Sequence, residues 1–452
     1  MIVTRKRLWG WALLLPLFIA ACQDTGTVDE IPDSETTSST ATTTPSNTPS
    51  NTPSNTECAP AGDGSPWTAE ASEEATVVQE ASGGAPGVAL AMYPRPDYEG
   101  KPWSHWGQGL VSSDGRFFSA IGDHHGADGN SFIYEYDPTT MTLTRVVDVL
   151  ATVEHESGAW GYGKIHAQMV AGACDQIYVA TYWGNRRGLT FTNGYDGDLL
   201  LRLDPASRTT ETVGVILSEH GVASMAASPD GSLIYVEAAD PFGQKVGAFL
   251  ALDPTTGEVV FSDDDEAHGG YRSIGVAADG SAYITWNDTG LARYDPATNS
   301  LEETGITMPG GLLRAVTVPD ADGRIFAVSR DPAVFFVIEP DGEVTELGPA
   351  DGYTASMALA PDGDHFYYVP DAHGGAWEAG TPLIAVDTAT GESTVVVELN
   401  PLVESHFGLR AGGTYNVVVS DDGSTVFVAL NAGDPATRDS FGEVVLAVVT
   451  LP

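Results

Sequence analysis

One phrase recurs seven times along this chain: a short apolar run, a tight Asp-Gly-type turn, and a second run rich in Tyr, Val and Phe. The turn aspartates are Asp114, Asp175, Asp230, Asp279, Asp322, Asp362 and Asp422. The clearest copies read SPDGSLIYVEA from Ser228, AADGSAYITW from Ala277, APDGDHFYYV from Ala360 and SDDGSTVFVAL from Ser420. A second phrase lies between them, a strand ending in Asp-Pro and then a turn: YDPTT at Tyr136, LDPAS at Leu203, LDPTT at Leu252 and YDPAT at Tyr294. A period of roughly 40–60 residues with four short strands per unit specifies a β-propeller. The expected fold is therefore all-β, a seven-bladed β-propeller of four-stranded antiparallel blades.

The last unit, from Tyr415, shows only three strands before the chain stops at Pro452. A spare N-terminal strand, Ala75–Glu80 (ATVVQE), is expected to complete it and close the ring. Closure removes sheet edges that otherwise invite aggregation. Insertions follow the second strand of three units: DHHGADGNS after Gly122, WGNRRGLTFTNGYDGD after Tyr182 and DAHGGAWEAGTP after Pro370. Long loops on a rigid scaffold are where function concentrates.

Ahead of the repeats, Arg5, Lys6 and Arg7 precede an apolar run from Leu8 to Ala21. The run is too short to span a bilayer and reads as a signal segment. It ends in Ile19-Ala20-Ala21-Cys22, which resembles the lipobox of bacterial lipoproteins. That resemblance implies a signal peptide over 1–21 and lipidation of Cys22. It also implies a lipid bilayer as partner through the Cys22 acyl anchor, in a bacterial cell envelope facing the periplasm or the exterior. Residues 22–67 are Ser-, Thr-, Pro- and Asn-rich, carry the repeat TPSN and read as a disordered tether; 68–452 is the propeller. Cys58 and Cys174 are left as an even pair in an oxidising compartment, a candidate disulfide pinning the tether to the second unit. Two free thiols are the alternative.

The formal net charge is -42, from 62 acids against 20 bases. Such a chain repels nucleic acid, which is excluded as a partner.

The scarce bases and the histidines are not scattered. Strands in a blade alternate in direction, so the Asp-Gly turns share one face, while entries to first strands and exits from second strands share the other. By that logic nine of the ten histidines map to the entry side, and only His365 to the turn side. Lys164, Arg186, Arg187, Arg272, Arg314, Arg330 and Arg410 map there too, with Trp106, Trp160, Tyr182, Trp183 and Tyr271. Arginine forks suit carboxylate or sulfate, and flat rings suit sugars. Residues just ahead of first strands point to the centre: His166, His220, Arg272, Arg314, Tyr353 and Tyr415.

The candidate catalytic set is accordingly Arg272 or Arg314 on a carboxylate, His166 or His220 as base, and Tyr353 or Tyr415 as acid. Candidate substrate-binding residues around them are His125, Lys164, Trp183, Arg186, Arg187, His268 and His373. This arrangement resembles the propeller-fold polysaccharide lyases and the streptogramin lyases, which implies β-elimination on an anionic polysaccharide or oligosaccharide. A divalent metal ion is an open alternative cofactor, held by His125, His166, His220 and His373 with Gln168. A non-catalytic glycan- or protein-binding propeller uses the same face without chemistry. The chain has no Walker loop, dinucleotide fingerprint, Gly-x-Ser-x-Gly elbow or Cys-x-x-Cys pair.

Overall fold

A computed structural model describes residues 64–98, 103–185, 187–242 and 247–452. Residues 1–63, with Cys22, Cys58 and the signal and tether segments, lie outside the described residues, as does Arg186. The described chain forms seven separate antiparallel sheets, four with four strands and three with five. They are the seven blades of a β-propeller.

The repeated aspartates turn out to be structural. In six of the seven Asp-Gly turns the glycine is left-handed, as Gly115 (φ 83), Gly280 (φ 86) and Gly423 (φ 72) illustrate. The preceding carboxylate accepts the amide two residues on, as from Ser281 to Asp279 at 2.9 Å and from Ser424 to Asp422 at 3.0 Å. In blade 2 the non-glycine residues Cys174 (φ 61) and Asp175 (φ 59) take the left-handed positions. Cys174 is disulfide-bonded, and its partner lies outside the described residues. The Asp-Pro phrase works in the same way at the turns between third and fourth strands. Asp137, Asp253 and Asp295 each accept the amide two residues ahead at 2.8 Å.

Aromatic side chains fill the wedges between blades. Phe117 of blade 1 stacks on Phe427 of blade 7 at 4.9 Å, Tyr235 of blade 3 meets Tyr294 of blade 4 at 5.7 Å, and Phe326 of blade 5 meets Phe366 of blade 6 at 5.7 Å. All six of these rings are fully buried.

The ring is closed from the N-terminus, but by a different strand from the one the sequence suggested. Gly87–Met92 pairs directly with Glu443–Thr450, from Gly87 opposite Thr450 to Met92 opposite Val445. Thr76–Gln79, the core of the expected strand, pairs outside Gly87–Met92 as a fifth strand. The reason lies in burial. GVALAM carries an almost wholly buried run, whereas the first two residues of TVVQ are exposed. Upstream, Ala71–Glu74 adds a fifth strand to blade 1 and Ser65–Pro66 one to blade 2. Trp67 donates its indole N–H to Thr210 Oγ1 at 2.9 Å. Among the described residues, propeller pairing begins at Ser65. One segment straps blades 2, 1 and 7 together at their outer edges.

Candidate functional site

Each blade sends its innermost strand toward the axis, and the residue at the entry end of that strand reaches the centre. Trp106 comes from blade 1, His166 from blade 2, Arg272 from blade 4, Arg314 from blade 5, Tyr353 from blade 6 and Tyr415 from blade 7. Blade 3 contributes a backbone group, the Ala223 carbonyl, 3.2 Å from His166 Nδ1. A carbonyl only accepts, so Nδ1 carries the hydrogen of the neutral ring and Nε2 carries its lone pair.

Seven of the expected residues meet here: Lys164, His166, Arg272, Arg314, Tyr353, His373 and Tyr415. Tyr415 Oη lies 2.6 Å from His373 Nδ1. Arg314 donates from Nε to Tyr353 Oη at 2.6 Å and from Nη1 to the Ala355 carbonyl at 3.2 Å, while its Nη2 is buried with no hydrogen-bond partner. Arg272 donates to the Trp106 carbonyl at 2.9 Å, and its guanidinium lies 5.3 Å from the Tyr415 ring centre. Lys164 sits 4.7 Å from the Trp106 ring centre. Trp106 packs on His124 at 5.1 Å, His373 at 5.3 Å, Tyr415 at 5.0 Å and Phe441 at 5.6 Å. The floor is closed, with Arg314 3% and Tyr415 2% exposed, and the rim opens past Arg330 and His373.

The electrostatics are one-sided. Among the described residues no ion pair joins Arg272, Arg314 or Arg330 to a carboxylate. Burial, with Arg314 beside it, pushes Arg272 down to about 10. Burial, with Arg272 and Lys164 nearby, holds His166 well below its ordinary range, so it is neutral at pH 7. His124 is depressed in the same way by burial and Lys164. The two tyrosines move apart. Burial raises Tyr415. Burial would raise Tyr353 also, but Arg314, Arg272 and Arg330 outweigh it and bring it below its ordinary value. Tyr415 therefore keeps the character of an acid. Tyr353 accepts from a donor-only guanidinium and is the more acidic of the two.

Other expected members lie elsewhere. His268 is buried between Glu237 (3.5 Å) and Asp263 (3.3 Å), paired with acids of its own blade. Trp183 is buried under its own loop against Tyr182 at 3.7 Å, where its carbonyl accepts from Trp160. Arg187 stands exposed on the same loop. His220 lies beside its own loop, Nδ1 2.9 Å from the Ser218 carbonyl. His125 is placed by Asp123, which accepts its amide at 2.8 Å, and its ring lies toward Tyr98. His124, its neighbour, is the one that meets Trp106. Among the described residues no group of three or more His, Cys, Asp or Glu side chains is placed to hold a metal ion. The set His125, His166, His220, His373 with Gln168 is dispersed, and Gln168 is spent on the Arg272 carbonyl and the Met225 amide. Phe441 went unnoticed in the sequence. It sits in the last blade's long loop, where only the ring it meets gives it meaning.

A cavity of about 990 Å³ is at the other end of the channel and is walled by Leu110, Val170, Met225, Val316 and Met357. Gln108 and Gln168 line its inner end. Gln108 donates there to the Met357 and Val417 carbonyls. Its wall is largely apolar.

Fold and site together define a seven-bladed propeller with a cationic, aromatic-walled centre on one face. No protein-family model matches the chain, and no curated protein is similar to it in sequence. Its fold is similar to that of virginiamycin B lyase from Staphylococcus aureus. A catalytically inactive variant of that enzyme, solved with quinupristin, superposes with a TM-score of 0.51 at 11% identity, covering 81% of this chain and 100% of that one. A selenomethionine-substituted form gives 0.50 at 12% identity over the same shares. At such identities the likeness is one of fold alone.

Proposed function

We propose that the entry-face centre receives the carboxylate of an anionic polysaccharide or oligosaccharide and promotes β-elimination beside it. The observation that carries this reading is Arg314 Nη2, a buried cationic donor with no protein partner, in a group of arginines that lacks a carboxylate. A group of that kind is costly unless a ligand supplies the missing charge. Arg314 and Arg272 would hold the carboxylate and stabilise the charge that develops on it as the adjacent C–H proton leaves. Neutral His166 offers the Nε2 lone pair as base. Tyr415, kept protonated by burial and bonded to His373, would protonate the departing glycosidic oxygen. Trp106 and Phe441 stack at 5.6 Å and form an apolar wall beside the cluster.

One observation favours a non-catalytic binding propeller as the second reading. The floor is so closed that only a small group reaches Arg314 without movement of the rim. The Cys22 lipid anchor and an envelope location belong to the same proposal, and mass spectrometry of the membrane-extracted protein tests them.

The whole protein incubated with uronate-containing polysaccharides should generate the unsaturated-uronate absorbance, and His166→Ala should abolish it. Binding without that absorbance across the panel would leave the binding reading. Neither binding nor product would sink both.

A further inference from the structure

We propose that Tyr353 is the first tyrosine of this protein to ionise as pH rises, and that its phenolate then serves as the built-in counter-ion of Arg314. Arg314 Nε can only donate, so at 2.6 Å the Tyr353 oxygen is an acceptor. Among the described residues that oxygen donates no hydrogen bond. Tyr353 is half-buried, and the buried tyrosines behave differently: Tyr271 donates to Asp288, Tyr195 to Asp198, Tyr134 to the Pro94 carbonyl and Tyr235 to the Gly280 carbonyl. Tyr353 instead accepts from a guanidinium and is set among others. The Arg314 guanidinium carbon lies 5.0 Å and that of Arg330 5.9 Å from its ring centre, and Arg272 and Arg314 both stand within 6 Å of the neighbouring Tyr415 ring.

The groups facing Tyr353 are thus Arg314, Arg272 and Arg330, all cationic, and Tyr415, which stays neutral. On the backbone side Asp371 approaches Gly352, and its carboxylate forms no described ion pair with the arginines. A phenolate is the only anion within reach of Arg314 among these groups. Its loss of a proton balances one charge of an otherwise uncompensated cluster.

A consequence follows for the anionic-ligand reading, on which this part alone rests. A carboxylate arriving at Arg314 displaces the need for the phenolate. Tyr353 then takes one proton from solvent, Tyr–O⁻ becoming Tyr–OH, as the ligand binds. Above the pH at which Tyr353 ionises, binding should release or absorb heat according to the buffer's ionisation enthalpy, with uptake of about one proton, and should weaken about tenfold per pH unit.

The test is a pH titration of tyrosinate absorbance in the whole protein and in Tyr353→Phe and Arg314→Gln. Tyr93, Tyr134, Tyr271 and Tyr415 are all shifted upward, so an early-ionising tyrosine stands clear of them. One of the sixteen tyrosines should ionise ahead of the rest. It should vanish in Tyr353→Phe and move to higher pH in Arg314→Gln. An early step that persists in Tyr353→Phe, or no early step at all in the parent, overturns the assignment. Calorimetry with galacturonate above the pH of that first ionisation then reads the second part, and binding there without proton uptake would overturn the coupling. Failure of galacturonate to bind would count against the polysaccharide reading, while the titration still decides the phenolate.

Discussion

Replacing Arg314 by Gln should make the free protein slightly more stable while removing its ligand. The reasoning starts from Arg272, whose ordinary value of 12.5 falls to about 10 through burial first and Arg314 second. Each unit corresponds to about 1.4 kcal/mol, so the combined penalty on the charged form is about 3 kcal/mol. Arg314 is the smaller contributor, and Arg272 is partly open to solvent, so relief of repulsion is discounted to about 1 kcal/mol. Gln retains an N–H that can reach Tyr353 or the Ala355 carbonyl, so the packing loss is small. A gain of about 1 kcal/mol raises Tm by roughly 1 °C for a propeller of this length. Differential scanning fluorimetry at pH 7 in low salt resolves that shift. Ligand binding should move the other way. Losing a charged hydrogen-bonded contact costs about 1.5–3 kcal/mol, or roughly 10- to 150-fold in affinity for a uronate measured by calorimetry. A variant that melts several degrees lower, or that binds the uronate as the parent does, would refute the claim that Arg314 is an uncompensated charge awaiting an anion.

Two further outcomes are expected. His105 is wholly buried and depressed to about 3 by burial, against an ordinary 6.5. Because its folded value is lowered, its stabilising effect is complete above pH 6.5 and is lost as pH falls toward 3. At pH 5 that amounts to about 2 kcal/mol, so the Tm drop between pH 7 and pH 5 should shrink in His105→Gln, and an unchanged drop would contradict the assignment. Truncation separates the two N-terminal strands: a chain starting at Ala81 should stay folded and monomeric with a modestly lower Tm. One starting at Tyr93 loses the partner of Glu443–Thr450, exposes a buried strand edge and should aggregate in size-exclusion chromatography. Equal behaviour of the two truncations would show that Gly87–Met92 does not close the ring.

The sequence carried the blade count because each turn needs a residue type that shows locally. A left-handed position calls for Gly, and the amide two residues on calls for an Asp carboxylate, so Asp279-Gly280 and Asp422-Gly423 can be read without coordinates. Strand direction then assigned His166, Arg272, Arg314, Tyr353 and Tyr415 to one end of the channel, since a propeller converts sequence position within a unit into a face. Burial against neighbours was not readable in this way. GVALAM and ATVVQE both suit a strand, and only the wedge against blade 1 decides which one lies beside Glu443–Thr450. His124 and His125 are adjacent in the chain, and the Asp123 turn, not composition, sends one to Trp106 and the other toward Tyr98. His268 was placed on the rim from sequence, and only the structure sets it between Glu237 and Asp263. The roles of the two tyrosines depend on which one three guanidiniums surround. Local hydrogen-bonding needs are written in consecutive residues, whereas charge compensation and packing sum over groups that only the closed ring brings together.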